Sequence, residues 1–167
     1  MEHVSGQRNL GALKVDIEVV GLNSEETCDG PGFSPQVSIG DLRSDYLALI
    51  MEDADRPNTV YWTLWNVPRQ DIIPRNLPKE AQLDSPISGR QGVNARGEHG
   101  YAAPCPAPGE EGHYIFRAYG LERILDLDPA TATRDDLARA MEGHVQEYGE
   151  NHVVYSRKRQ WSSSYEY

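Results

Sequence analysis

Six consecutive residues, Tyr46-Leu47-Ala48-Leu49-Ile50-Met51, are apolar, and the chain then turns acidic at once in Glu52-Asp53-Ala54-Asp55. The run is far too short to cross a bilayer, and its length suits a strand buried in the middle of a sheet. Other strand signals surround it. Leu13 to Val20 alternates apolar and polar with a period of two, the pattern of a half-buried strand. Val37 to Ile39 reads as a short strand. Val60 to Val67 is aromatic and β-branched, and so reads as a longer one. His113 to Leu121 is a further strand, with Tyr114, Phe116 and Ala118 on one face. Thr27 to Pro35 is a loop dense in glycine and proline, and Pro68 to Pro104 is interrupted by Pro74, Pro78 and Pro86. An irregular stretch that long is often functional.

One helix is predicted. Thr133 is its N-cap with Asp136 three positions on, and Leu137, Ala140, Met141, His144 and Val145 form its apolar stripe up to an end near Gly149. Strands dominate. The predicted fold is mainly β: an antiparallel β-sandwich with a few short peripheral helices, as a single domain over residues 1–167. From Asn151 onward the chain carries the basic cluster Arg157-Lys158-Arg159 and then Trp161, Tyr165 and Tyr167. This segment reads as a strand or arm packed on the body, with docking to a partner as the sharper alternative.

The net charge of −10 excludes a basic nucleic-acid footprint and argues against general attraction to an anionic membrane. Met1 to Arg8 is polar and lacks the pattern of a signal peptide, and no apolar run is long enough for a membrane span. The expectation is a soluble, cytoplasmic protein. A bridge between Cys28 and Cys105 would require their loops to meet, and a reducing cytoplasm opposes it. Cys105, with no lysine or arginine near it in sequence, reads as structural and unreactive.

The residues with chemical potential cluster at strand ends. Asp53 follows the buried run, where partial desolvation would raise its pKa and let it donate a hydrogen bond to an anion. Asp55 either shares its face or belongs to the turn before Pro57; the plain alternative is that both carboxylates cap the loop. Trp62 and Trp65 have opposite strand parity, so one is expected in the core and the other at a rim. His99 reads as a solvated loop residue and His144 as a core histidine. No phosphate-binding loop, dinucleotide fingerprint, nucleophile elbow or zinc spacing is present. No cofactor, metal or catalytic residue is therefore expected.

Five segments in order carry a resemblance. They are Cys28-Asp29-Gly30-Pro31-Gly32-Phe33-Ser34-Pro35, Asp53-Ala54-Asp55-Arg56-Pro57, Tyr61-Trp62-Thr63-Leu64-Trp65-Asn66-Val67-Pro68, Gly97 through Gly109, and Glu142-Gly143-His144-Val145. Together, over about residues 25 to 146, they resemble the phosphatidylethanolamine-binding protein family, which includes Raf kinase inhibitor-like proteins, and most of all its bacterial and archaeal branch. The acidic segment is similar to the family's Asp-Pro-Asp-x-Pro loop, with Ala54 at its proline. The next is similar to His-Trp-x-x-x-Asn-x-Pro, with Tyr61 at the pocket histidine. At the family's His-x-Tyr, the simplest alignment sets Gly112 on the histidine and Tyr114 on the tyrosine. His113 then faces away unless a bulge corrects it.

The resemblance implies a ligand site of Asp53, Asp55, Tyr61, Tyr101, Pro104, His113 and Tyr114. It implies a non-catalytic binding protein with a small pocket for a phosphate-type anion or a phospholipid headgroup. The alternative it implies is an interaction module that inhibits a serine protease or a kinase through surface loops. A homodimer is a further expectation. With Tyr61 in place of a histidine, the pocket loses a group that can carry positive charge near neutral pH.

Overall fold

The computed structural model describes residues 10–18 and 21–158. The elements in chain order are β1 (Gly11–Ala12), β2 (Lys14–Ile17), β3 (Val37–Gly40), β4 (Tyr46–Asp53), β5 (Val60–Pro68), β6 (Ile72–Ile73), β7 (Gln82–Leu83), β8 (Gly89–Gln91), β9 (Glu111–Leu121), α1 (Arg134–Met141) and β10 (Val145–Ser156). A seven-stranded sheet has the order β1-β10-β9-β4-β5-β8-β7, and a three-stranded sheet has the order β2-β3-β6. Pairing is antiparallel except between β1 and β10. The mainly β, two-sheet fold matches the sequence expectation. Among the described residues, its helical content is α1 and a 3-10 turn at Ser24–Glu26.

The apolar run becomes β4, and Leu47 through Glu52 are all buried. Alternate residues serve two cores. Leu47, Leu49 and Met51 pack with Val15, Ile39 and Ile73 of the small sheet. Ala48 and Ile50 face the other way, against Leu125, Ala132, Leu137 and Met141. A strand covered on both faces needs no polar alternation, which is why this segment has none. The same cover corrects the expectation for the tryptophans. Trp62 lies in the first core and Trp65 in the second, and both are fully buried. Parity sends them to opposite faces, but neither face is a rim.

α1 starts as the sequence predicts, with reciprocal capping between Thr133 and Asp136. It ends at Met141 rather than near Gly149. Gly143, at a φ of +81°, turns the chain, and β10 begins two residues later. Gly149 lies within β10, where an added Cβ would sit 2.1 Å from the Leu13 carbonyl oxygen. His144 pairs with Glu122 at 2.8 Å near the surface and is not a core residue. The expected strand from Leu13 is shorter, as Lys14–Ile17, and Val19 and Val20 lie outside the described residues. The C-terminal segment forms a strand on β9 through Ser156; the residues from Arg159 on lie outside the described residues.

The long stretch from Pro68 to Pro104 is held from within by buried amides. Gln91 accepts from Trp62 Nε1 at 2.8 Å and donates to the carbonyls of Pro78 and Glu80 at 2.9 Å each. Asn94 donates to the Gly100 carbonyl at 2.9 Å. Lys79 ties the loops together by donating to the carbonyls of Gly32 (3.0 Å) and Tyr101 (2.8 Å).

Two further features fasten distant segments. Cys28 and Cys105 form a disulfide, with their Cα atoms 5.3 Å apart. This departs from the expectation of a bridge opposed by the compartment. The loops do meet, since the Cys28 N–H donates to the Pro104 carbonyl at 3.2 Å. A sequence separation of 77 residues hid that proximity. The second is Glu147, which is almost fully buried. Its carboxylate accepts from the backbone N–H groups of Arg43 (3.0 Å) and Ser44 (2.9 Å) and from the Ser44 hydroxyl (2.6 Å). Burial alone would raise its pKa, but the hydrogen bonds from Ser44 and Arg43 outweigh burial and hold it below the ordinary glutamate value.

Two predictions follow from these fastenings. Reducing the disulfide, or making Cys28→Ser with Cys105→Ser, should lower the unfolding free energy by about 2–4 kcal/mol in denaturant titrations. Glu147→Gln should cost about 2 kcal/mol at pH 7, since it removes acceptors for charge-assisted hydrogen bonds. A depressed folded pKa gives stability that is present above the unfolded value and lost as pH falls through the folded one. The gap between wild type and Glu147→Gln should therefore close as pH drops below about 4. A gap that stays constant between pH 7 and pH 3 would contradict this account.

Candidate functional site

A cavity of about 400 Å³ opens where β4 ends, β5 begins and β9 begins. Asp53, Asp55, Arg56 and Tyr61 line it from the β4–β5 side. Cys105, Pro106 and Ala107 form a second wall, and Glu110, Glu111, Gly112 and Tyr114 a third. Of the seven site residues expected from sequence, four line it: Asp53, Asp55, Tyr61 and Tyr114.

Register explains how they converge. Asp53 is the Cα partner of Tyr114 across β4 and β9, so the two share a face. Tyr61 precedes Trp62, which belongs to the core face, and simple alternation would turn it away. A bulge intervenes: Met51 pairs with Trp62 but Glu52 pairs with Val60, leaving Tyr61 as the extra residue. Bulges re-aim side chains in this way and gather near functional sites. The rings of Tyr61 and Tyr114 then meet edge-on, with centroids 5.4 Å apart.

Asp53 accepts three hydrogen bonds. The backbone N–H groups of Asp55 (2.9 Å) and Arg56 (3.0 Å) donate to Oδ1, and the Tyr61 hydroxyl donates to Oδ2 at 2.8 Å. This arrangement supports the loop-capping alternative for Asp53, since two of the three donors are backbone N–H groups of its own loop. It also commits the Tyr61 proton within the protein. Burial, then the hydrogen bond to Asp53, pushes the Tyr61 phenol well above its usual range. Burial and the Asp53 charge push Tyr114 up to about 12. Both phenols are therefore protonated at neutral pH.

Tyr114 differs from Tyr61 in one respect. Its side chain is only 2% exposed, it lines the cavity, and its hydroxyl has no hydrogen-bond partner among the described residues. Its phenol leans back along β9 over Gly112, where an added Cβ would sit 1.8 Å from the Tyr114 oxygen. Glycine at 112 and tyrosine at 114 are thus one steric unit. A histidine at 112 and this placement of Tyr114 are mutually exclusive.

Three expected site residues lie elsewhere. Tyr101 is buried in the core, edge-on to Trp62, and its hydroxyl donates to the Glu26 carbonyl at 2.7 Å. Pro104 is buried beneath the loop, with its carbonyl taken by Cys28. His113 points outward, as strand alternation dictates. Its side chain is 44% exposed and bridges Asp55 and Glu111 at 3.2 Å each. It props the rim without entering the cavity. His99 Nδ1 donates to the Gln91 carbonyl, 3.0 Å away, and is not a wall residue.

Residues that the sequence did not nominate complete the walls. Arg56 falls at the variable position of the acidic loop, and Glu110 and Glu111 precede the expected start of β9. Cys105 sits in the wall, and Arg157 reaches back to it at 3.2 Å while also donating to Asp29 (3.0 Å) and the Pro106 carbonyl (3.0 Å). That arginine is far away in sequence, so proximity of a cation to Cys105 could not be read there. Among the described residues no cluster of three or more histidine, cysteine, aspartate or glutamate side chains is arranged to hold a metal ion.

A family model described as phosphatidylethanolamine-binding protein matches residues 16–156. A UPF0098 protein of Pyrococcus horikoshii is 38% identical over 164 residues, covering 93% of this chain and 82% of its own. A UPF0098 protein of Archaeoglobus fulgidus is 43% identical over 142 residues, covering 83% of this chain and 48% of its own, so this chain spans about half of that relative. Among solved structures, a putative phosphatidylethanolamine-binding protein homologue from Chlamydia trachomatis superposes with a TM-score of 0.74 at 26% identity. The match covers 89% of this chain and 99% of that one. E. coli YbcL superposes at 0.75 with 20% identity, covering 87% and 99%, a likeness of fold alone. Matched over most of its length, with the acidic loop, aromatic strand and glycine–proline loop meeting at one cavity, this chain belongs to the phosphatidylethanolamine-binding protein family.

Proposed function

We propose that this chain is a non-catalytic binding protein whose strand-end cavity accepts a phosphate-type or carboxylate group carried by a small molecule or a lipid headgroup. One observation carries the reading. The Tyr114 hydroxyl, on a side chain otherwise buried, opens into the cavity with no partner among the described residues. The buried ring holds the hydroxyl in one place, so a ligand oxygen meets a donor that is already oriented. Its phenol stays protonated through the physiological range, so the donor is always present. Tyr61 and Asp53 satisfy one another and act as a rigid wall beside it. Asp53, as an acceptor already engaged by three donors, is poorly placed to serve as a general base. Family membership supports the same ligand class.

The test is an NMR titration with inorganic phosphate and with phosphoethanolamine, following the amides of Asp53, Tyr61 and Tyr114. Saturable shifts at these residues are expected at millimolar ligand. Tyr114→Phe should keep the fold and weaken binding by at least about tenfold, the value of one hydrogen bond to a charged group. Absence of shifts at tens of millimolar of either ligand would sink the reading.

A further inference from the structure

The cavity wall holds four carboxylates, Asp53, Asp55, Glu110 and Glu111, against a single guanidinium, that of Arg56. Counted as bare charges, this wall repels anions. The hydrogen bonds alter the balance. Asp53 is engaged by two backbone N–H groups and the Tyr61 hydroxyl. Asp55 and Glu111 are drawn outward to the His113 imidazole, 3.2 Å from each, and Glu111 also accepts from the Ser156 hydroxyl at 3.1 Å. The side chains of Glu110 and Arg56 have no hydrogen bond or ion pair among the described residues.

Among the described arginines, Arg75, Arg117, Arg134, Arg139 and Arg157 each meet a carboxylate within 4 Å. Arg69, Arg90, Arg96 and Arg123 donate to backbone carbonyls instead. Arg43 has no such side-chain partner either, but it does not line the cavity. The Arg56 guanidinium has no ion pair and no hydrogen bond among the described residues. Its backbone is nonetheless fixed, because the Arg56 N–H donates to Asp53 Oδ1 at 3.0 Å. Its charge is felt by both phenols of the site, where it opposes the upward push of burial. A cation anchored at its backbone, unpaired at its head and beside an unpartnered hydroxyl is placed to take an oxyanion.

We infer that Arg56 is the specificity-determining residue of this pocket, holding the oxyanion of the ligand together with the Tyr114 hydroxyl, and that Glu110 opposes it and selects against highly charged anions. This rests on the pocket reading above and adds the charged residue that such a reading lacks. Position 61 carries a phenol whose proton goes to Asp53, so the strand supplies no positive charge. The loop supplies it through Arg56. A guanidinium stays charged at every physiological pH and offers paired donors to two ligand oxygens. Glu110 lies in the same wall, so a singly charged oxyanion, or one with a neighbouring ammonium, suits the cavity better than a free dianion.

Titration calorimetry on the full chain tests this with phosphoethanolamine and inorganic phosphate as probes. Arg56→Gln should weaken phosphoethanolamine binding by at least tenfold, and Arg56→Lys should recover most of that loss. Glu110→Gln should tighten inorganic phosphate severalfold and phosphoethanolamine less. Raising the salt from low to high concentration should weaken wild type more than Arg56→Gln. Arg56 is exposed on a loop, so the variants should unfold at the wild-type temperature. If wild type binds and Arg56→Gln binds within twofold of it, the role given to Arg56 is wrong while the pocket reading stands. If Arg56→Lys is as weak as Arg56→Gln, charge is not what Arg56 contributes, and the inference fails. If wild type binds neither probe at tens of millimolar, the pocket reading fails and this inference with it.

Discussion

The burial of β4 on both faces is the constraint from which the rest of the structure follows. An apolar strand with no polar side must have layers above and below it. The small sheet covers Leu47, Leu49 and Met51, while α1 and the segment leading into it cover Ala48 and Ile50. Such a strand cannot sit at an edge, so β5 and β9 pair with it on either side. The run ends where the cover ends. There the sequence turns acidic, and Asp53 is only partly buried beside Tyr114 of β9. The position of the pocket is thus set by the length of the central strand.

Three local devices turn that strand end into a cavity. The bulge at Tyr61 brings a phenol onto the face of Asp53, which regular pairing would forbid. Gly112 leaves the space into which Tyr114 leans. The disulfide and Arg157 hold the loop from Cys105 to Ala107 against the cavity from the far side. Each device joins residues that are distant in sequence or breaks strand periodicity, so the pocket depends on tertiary context more than the sheets do.

This division explains what the sequence made legible. Strands β3, β4, β5 and β9 announce themselves by composition and period, and the start of α1 by its capping pair. Such signals arise from neighbours in the chain. The end of α1 was misplaced because Val145 continues the helical stripe by accident while serving as the first residue of β10. A rim is expected for one of Trp62 and Trp65, and neither has one, because periodicity gives a face but not what covers it. Asp53, Asp55, Tyr61 and Tyr114 were legible from resemblance and strand-end placement. Tyr101 was not, because an aromatic residue in a glycine–proline loop reads the same whether it faces a ligand or, as here, the core. Arg56 and Glu110 escaped notice because loop charges are usually solvated, and only the closed geometry shows which ones share a cavity.

Replacing a strand histidine with tyrosine changes a pocket in a way that depends on what else surrounds it. An imidazole on a rigid strand offers a charge that vanishes as pH rises through neutrality. Here the same place holds a phenol that is protonated throughout and occupied by Asp53. The positive charge resides on a loop, at the end of a flexible side chain whose backbone Asp53 fixes. A mobile head can follow ligands of differing shape, whereas a strand residue cannot, but ordering that head on binding costs side-chain entropy. Asp53 therefore does two jobs with one carboxylate: it orients the phenol of the wall and positions the loop that carries the guanidinium. Removing it would disturb both at once, which makes loss of binding in an Asp53 variant weak evidence for direct contact between that carboxylate and a ligand.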